Sequence, residues 1–236
     1  MGDGQCVNCR ERRPEFERAV SFGEYRDGLR GLIHLLKYEN ITSAQAPLGR
    51  MLAEAVTQLV PPVRPSLGLT RAQVSVQPTD ANLGHQPGKA RLLLVPVPLH
   101  KNRRSSRGFN QAELIVRAAR KHLPPELELA TTVLIRQRET ISQVGLSREE
   151  RIENMRGAFR VSDAARVEGR LVIVVDDVMT TGTTLSECAR VLKQAGAEKV
   201  WAATVARAFH GADLPEVADD GEQEELEAAG SPAAAS

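Results

Sequence analysis

The sequence predicts an α/β protein in which helices flank a parallel β-sheet. Residues 171–175 are five consecutive apolar residues, four of them β-branched, which is typical of a strand buried on both faces of a parallel sheet. A second strand-like stretch, residues 91–98, is likewise followed by a loop and an amphipathic helix. With 236 residues, 42% of them hydrophobic, the chain is large enough for one such core with small additions.

The charge of the chain is distributed unevenly. Residues 211–236 hold eight acidic residues and no lysine or arginine, so the net charge of +1 becomes +9 when this stretch is left out. A basic body suits phosphorylated ligands, whereas 3% aromatic residues leave few rings for stacking nucleic-acid bases. We expect residues 211–236 to be a disordered acidic tail.

Signals that direct a chain out of the cytoplasm are missing from the sequence. No apolar run approaches the roughly 20 residues of a membrane helix, and the first residues lack a signal-peptide pattern. Three cysteines fit a reducing compartment. We therefore expect a cytoplasmic protein without membrane insertion.

The first segment, residues 1–13, contains a partial C-x-x-C knuckle formed by Cys6 and Cys9. Such a pair supplies two thiolates to zinc, but a closed structural site needs four ligands. Cys188, the third cysteine, falls on the apolar face of a predicted helix and is assigned to the core. Three explanations stay open: a zinc site completed by another chain, a degenerate remnant, or a start codon placed too late.

Residues 14–60 are predicted to form a small helical cap, or hood, over the edge of the sheet. Residues 14–22 are typical of a short strand, residues 27–38 have apolar side chains on one helical face, and a second amphipathic helix follows Pro47. Residues 61–90 are rich in proline and have no sustained period. This composition predicts a disordered insertion between the cap and the core.

The predicted core, residues 91–210, opens with the strand at residues 91–98. A basic loop follows, and a helix begins at Asn110 with Glu113 as its capping partner. We expect the loop cations at the carboxyl edge of the sheet, where a pyrophosphate would dock; a solvated basic surface is the alternative. These cations are Lys101, Arg103, Arg104 and Arg107.

Two further strands and one helix complete the predicted core. The strands are expected at residues 131–135 and 199–206. Between them, a helix begins at Ser147 with a capping box and ends near Gly157. A polar loop, residues 136–146, precedes that helix.

Asp176 and Asp177 follow the buried strand directly, and a hydroxyl-rich loop with one glycine comes next. Thr184 and Glu187 then have the spacing of a capping box, which predicts that a helix begins there. Backbone N–H groups, threonine hydroxyls and the positive end of a helix dipole converge on the loop and suit a phosphate. A phosphate beside two carboxylates indicates a sugar phosphate. Phospho-acceptor and other metal-binding α/β domains share the strand and the acid pair, and they stay open as alternatives.

Residues 174–184 resemble the phosphoribosyl pyrophosphate motif of the type I phosphoribosyltransferases. The resemblance implies their fold, with Asp176 and Asp177 as catalytic residues that hold the ribose and a loop that holds the 5′-phosphate. The full set implied for the ribose phosphate is Asp176, Asp177, Val178, Met179, Thr180, Thr181, Gly182, Thr183 and Thr184.

The same resemblance implies roles for two other loops. The four cations of the basic loop would bind pyrophosphate, with Mg²⁺ arriving together with the ligand. A mobile loop would close over the site and exclude water. By resemblance its residues are Gln143, Arg148, Arg151 and Asn154.

A narrower resemblance is to the ComF family, the competence-associated branch of phosphoribosyltransferase-like proteins. It depends on residues 35–38, 95–99 and 107–112, and it covers approximately residues 6–60 and 91–209. That family begins with a four-cysteine zinc ribbon. Cys6 and Cys9 match only its second pair, so the chain has a partial remnant of the ribbon and a Zn²⁺ site is not established.

Two functions follow from the resemblance. The first is an enzyme that binds phosphoribosyl pyrophosphate or a related ribose phosphate and transfers the phosphoribosyl group to an unidentified acceptor. The second is a non-catalytic ribose-phosphate-binding factor in competence, DNA uptake or DNA processing, with single-stranded DNA or the uptake machinery as partner. A weaker alternative is an interaction adaptor, and a homodimer is a further expectation.

Overall fold

The computed structural model describes residues 13–60, 92–100, 108–140 and 147–208, without the side chain of Arg148. Within these ranges the strands are β1 (Arg18–Glu24), β2 (Leu92–Pro96), β3 (Leu127–Leu129), β4 (Leu134–Arg136), β5 (Phe159–Val161), β6 (Leu171–Met179) and β7 (Lys199–Arg207). The α-helices are α1 (Asp27–Lys37), α2 (Gln45–Thr57), α3 (Gln111–Ala119), α4 (Arg148–Met155) and α5 (Thr183–Gln194). Short 3₁₀ turns lie at Thr42–Ala44, Arg120–His122 and Ala164–Arg166.

Five of the strands form one parallel sheet in the order β1-β7-β6-β2-β3. The other two, β4 and β5, pair antiparallel as a separate ribbon. Strand β6, which carries the apolar run of residues 171–175, is the central strand. The predicted parallel sheet flanked by helices is therefore confirmed.

Helices cover both faces of this sheet. On one face, α1, α2 and α3 pack over Ile173 and Val175 of β6. On the other, α5 and the β4–β5 ribbon pack over Val172 and Val174. Among the described helices, none is long and apolar enough to cross a membrane.

Residues 14–60 contribute to the main sheet and to one of its faces. The sequence predicts a cap over the sheet edge, but β1 pairs with β7 as an edge strand and begins four residues later than predicted. Helix α2 lies beside α3, where Gly49 approaches Ala118 so closely that a Cβ at position 49 would lie 2.6 Å from the Ala118 Cβ. Apolar periodicity shows which face of a helix is buried but not which surface covers it.

The predicted strand at residues 131–135 is also placed differently. The structure has β4 at Leu134–Arg136, and this strand belongs to the ribbon with β5 rather than to the main sheet. The sequence does not predict β3 and β5 at all. Each has three residues, which is too short for an alternating pattern to be detected.

The starts of two helices and the burial of Cys188 are as predicted. The side chain of Asn110 accepts the backbone N–H of Glu113 and caps α3. Ser147 and Glu150 form a full capping box at the start of α4. Cys188 is completely buried in α5, and burial raises the pKa of its thiol.

Candidate functional site

The loop between β6 and α5 surrounds a small cavity of about 20 Å³. The residues lining it are Asp176, Val178, Met179, Thr180, Thr181, Gly182, Thr183, Thr184 and Leu185. The structure thus brings every residue of the predicted ribose-phosphate set except Asp177 to one cavity.

Helix α5 begins two residues earlier than the predicted capping box of Thr184 and Glu187 requires. Gly182 is its N-cap and has a left-handed φ of 76°, a conformation that favours glycine. The Gly182 carbonyl accepts the Ser186 N–H at 2.8 Å, and the hydroxyls of Thr181 and Thr183 lie 2.9 Å apart. Gly182 offers no side-chain cap to α5. The positive end of the α5 dipole faces the loop, where it favours a negatively charged group.

The acid pair lies inside β6, beyond the end of β2. Pairing with β2 stops at Val175, opposite Pro96, whereas pairing with β7 continues to Met179. The sequence predicts Asp176 and Asp177 just after the strand; the structure keeps them in extended conformation because β7 still supports this edge. Among the described strands, β7 alone pairs with β6 alongside the acids.

The two carboxylates point to opposite faces of the sheet, because successive strand side chains alternate. Asp176 follows Val172 and Val174 on the face of α5, and it lines the cavity. Asp177 follows Ile173 and Val175 on the face of α1, α2 and α3, and it is 7% exposed. The backbone N–H of Asp177 donates to Oδ1 of Asp176 at 2.9 Å.

Lys37, the last residue of α1, contacts the acid on the second face. Its Nζ lies 3.3 Å from Oδ2 of Asp177, and both side chains are largely buried. Burial lowers the pKa of Lys37, but the attraction of Asp177, with smaller contributions from Tyr38, Asp176 and Tyr25, outweighs burial and raises it above its ordinary value. Lys37 therefore stays charged in the folded protein.

The surroundings of Asp176, in contrast, favour its neutral form. Burial, followed by repulsion from Asp177, raises the pKa of Asp176 to about 7. Lys37, the Asp177 N–H and Arg136 oppose this rise. Arg136 lies at the end of β4, where its guanidinium stacks over the Phe159 ring at 5.6 Å.

Sequence reasoning gives no site role to Lys37 or Arg136. In the sequence, Lys37 is singled out only as one of residues 35–38, on which the ComF resemblance partly depends. Arg136 ends a strand of the ribbon that the sequence does not place, so nothing in the sequence links it to Asp176.

Residues 147–157, the arm that follows the predicted mobile loop, contact α5. Glu187 of α5 accepts the backbone N–H of Gly157 at 2.8 Å, and both carboxylate oxygens accept the Arg190 guanidinium at 2.7 Å. Glu187 therefore makes these hydrogen bonds instead of forming the predicted capping box with Thr184. Arg151 and Asn154 lie half-buried on α4, in the same arm, and Arg148 begins that helix.

The segment that leads into the basic loop is anchored by Asn110. Its Nδ2 donates to the Val97 carbonyl at 2.9 Å and so ties the start of α3 to the residues after β2. Several predicted residues lie outside the described ranges: Cys6, Cys9, Lys101, Arg103, Arg104, Arg107 and Gln143. Residues 61–90 and 211–236, predicted to be disordered, also lie outside them.

No group of three or more His, Cys, Asp or Glu side chains in the described part of the chain is arranged to hold a metal ion. The carboxylate oxygens of Asp176 and Asp177 are the hard donors that Mg²⁺ prefers. They point to different faces, however, and form no cage.

Comparison with known proteins supports the same fold. A family model described as a phosphoribosyl transferase domain matches residues 111–229. Competence protein F of Haemophilus influenzae is 30% identical over 204 residues, which are 86% of this chain and 78% of that protein. This chain belongs to the ComF family.

Other ComF relatives extend the comparison. DNA utilization protein YhgH of Escherichia coli is 30% identical over 195 residues, covering 83% of this chain and 74% of that protein. Competence protein ComFC of Streptococcus pneumoniae is 29% identical over 106 residues, or 45% of this chain and 44% of that protein. The parallel sheet of this ComF protein is thus that of a type I phosphoribosyltransferase, as the sequence predicts.

Proposed function

We propose that this protein binds phosphoribosyl pyrophosphate or a related ribose phosphate at the β6–α5 loop. The observation that carries the proposal is the cavity in which Asp176 lies beside residues 180–184 and the N-terminal end of α5. Backbone N–H groups and the helix dipole hold the 5′-phosphate, assisted by threonine hydroxyls. The carboxylate of Asp176 accepts a hydrogen bond from a ribose hydroxyl.

The remaining charges of the ligand require cations. In this proposal Lys101, Arg103, Arg104 and Arg107 neutralise the pyrophosphate, and Asn110 joins the described residues that flank them in the chain. Mg²⁺ that arrives with the ligand would neutralise part of the phosphate charge. Asp177 supports the site from the other sheet face through Lys37.

As an enzyme, the protein would transfer the phosphoribosyl group to an acceptor whose identity stays open. A nucleophile of the acceptor forms a bond to C1 of the ribose, and the bond from C1 to pyrophosphate breaks, with the electron pair leaving on pyrophosphate. Catalysis would consist mainly of positioning and charge stabilisation. The loop containing Gln143, with the arm of Arg148, Arg151 and Asn154, would exclude water from the reacting centre.

Titration calorimetry of the full chain with phosphoribosyl pyrophosphate and Mg²⁺ tests binding. We expect the Asp176→Ala, Asp177→Ala variant to bind about 100-fold more weakly or not at all, because the carboxylate that accepts the ribose hydroxyl is lost and Lys37 is left without its partner. The matched control is Glu126→Ala, Asp163→Ala, which removes two exposed acids and should bind like the parent. A folded parent that does not bind would refute the proposed function.

A non-catalytic role in DNA uptake is the second candidate. It is favoured by the names of the relatives, which refer to competence and DNA utilization. In this case the protein binds the ribose phosphate without turnover, and any contact with single-stranded DNA is sequence-independent and weakens with salt. Single-turnover assays with a panel of nucleobases distinguish the two candidates, because only the enzyme releases pyrophosphate.

A further inference from the structure

The starting observation is the surroundings of Asp177. Its carboxylate is 7% exposed and lies on the sheet face covered by α1, α2 and α3. A carboxylate this deeply buried is costly to the fold unless a charged partner compensates it. Lys37 Nζ, 3.3 Å away, is that partner.

The position of Lys37 is well suited to this contact. It ends α1, where the helix dipole favours a positive charge. The charged and titratable groups that act on it are Asp177, Tyr38, Asp176 and Tyr25. The segment that supplies Lys37 lies more than 130 residues before the acids in the chain, so the contact depends on the tertiary fold.

The ion pair of Lys37 and Asp177 also changes the charge that a ligand encounters at the site. Asp176 and Asp177 are consecutive carboxylates, and a phosphorylated sugar brought next to both of them is repelled. Lys37 is the cation that the structure places against this pair from the second face. It compensates negative charge at the cavity without occupying the cavity, since Lys37 does not line it.

We propose that Lys37 is a positioning residue of the ribose-phosphate site: it fixes the Asp177 carboxylate and offsets the charge of the acid pair, so that a phosphorylated sugar is accepted. This inference rests on the proposed function. It assigns to the N-terminal segment an indirect part in ligand recognition. Lys37 acts through Asp177 and does not itself contact the ligand.

The test is titration calorimetry of the full chain with phosphoribosyl pyrophosphate and Mg²⁺. We expect Lys37→Met to bind about tenfold more weakly, and Lys37→Arg, which keeps the charge, to recover binding to within about threefold of the parent. Lys121→Met is the matched control. Lys121 is exposed in the 3₁₀ turn after α3, so this variant loses the same charge elsewhere and should bind like the parent.

A double-mutant cycle shows whether Lys37 acts through Asp177. The Lys37→Met, Asp177→Asn variant has no orphaned charge and therefore stays folded even where Lys37→Met alone unfolds. If the proposal holds, Lys37→Met changes affinity by less than about twofold in the Asp177→Asn background. An equal loss in both backgrounds, or a gain in affinity on removing Lys37, overturns the positioning role.

The outcomes separate the two proposals. If the parent does not bind, the proposed function fails and this inference fails with it. If the parent binds and folded Lys37→Met binds equally well, the inference alone is overturned.

Discussion

Asp176 and Asp177 are neighbours in the chain with different surroundings. Asp177 has an ammonium group at 3.3 Å, whereas burial and Asp177 itself raise the pKa of Asp176 to about 7. Strand alternation produces this difference by sending the two side chains to opposite faces. The two acids are adjacent in the sequence motif, but their carboxylates lie in different electrostatic surroundings.

The raised pKa of Asp176 predicts a pH dependence of stability. Because the folded protein favours the neutral acid, the stability contributed by this group is full below the ordinary pKa of 3.8 and is lost as pH rises through about 7. Asp176→Asn is neutral at every pH and still accepts the Asp177 N–H. We expect it to exceed the parent in free energy of unfolding by roughly 2 to 4 kcal/mol at pH 8.

Urea unfolding of both proteins at pH 4 and pH 8 measures this difference. The gain should nearly vanish at pH 4, where the parent is protonated as well. A gain of the same size at both pH values would show that the stability comes from something other than ionisation.

At the scale of elements, α2 and α3 pack closely on the sheet face that also holds Asp177. A Cβ at Gly49 would lie 2.6 Å from the Ala118 Cβ and 2.8 Å from backbone atoms of residues 118 and 119. These are backbone and short side-chain atoms that cannot move away alone. The two helices therefore depend on glycine at this position.

Gly49→Ala should destabilise the protein by about 1 to 3 kcal/mol, because α2 and α3 must separate to admit the methyl group. Gly31→Ala is the control, since a Cβ at Gly31 of α1 meets nothing within 4 Å. There alanine should stabilise the helix by up to about 1 kcal/mol. Thermal unfolding followed by circular dichroism gives both values, and equal effects at the two positions would contradict the packing described.

Sequence patterns predicted those features that local chemistry determines. The apolar run of β6, the cap at Asn110 and the capping box at Ser147 each depend on residues close in the chain, and all three are confirmed. The continuation of β6 to Met179 depends on pairing with β7, and the contact of Lys37 with the acid pair depends on how α1 packs. Neither interaction can be predicted from a local sequence pattern.

At the scale of the whole molecule, residues 13–60 belong to the same packed unit as the later strands. Leu48, Leu52 and Val56 of α2 are fully buried in one cluster with Ile173 and Val205 of the sheet. β1 completes that sheet at its β7 edge. The predicted division at residues 61–90 thus separates two stretches of chain that share a core.

A chain that begins at residue 92 should therefore not fold cooperatively, because one sheet face would lose α1, α2 and their apolar side chains. We expect it to bind a hydrophobic dye and to unfold without a clear transition. Co-expression of residues 13–60 as a separate chain should restore a cooperative transition. Cooperative unfolding of residues 92–236 alone would mean that the core is independent of the N-terminal segment.

The pairing of β1 with β7 also sets an order of events during synthesis. The Ser21 and Thr204 hydroxyls, 2.7 Å apart across this pair, are separated by 183 positions in the chain. A ribosome adds roughly 5 to 20 residues each second, so β1 waits on the order of 10 to 40 seconds for its partner strand to be made. For that interval the first strand of the protein exists without the neighbour that completes its hydrogen bonds, and the nascent chain is most exposed to wrong pairings and to chaperones.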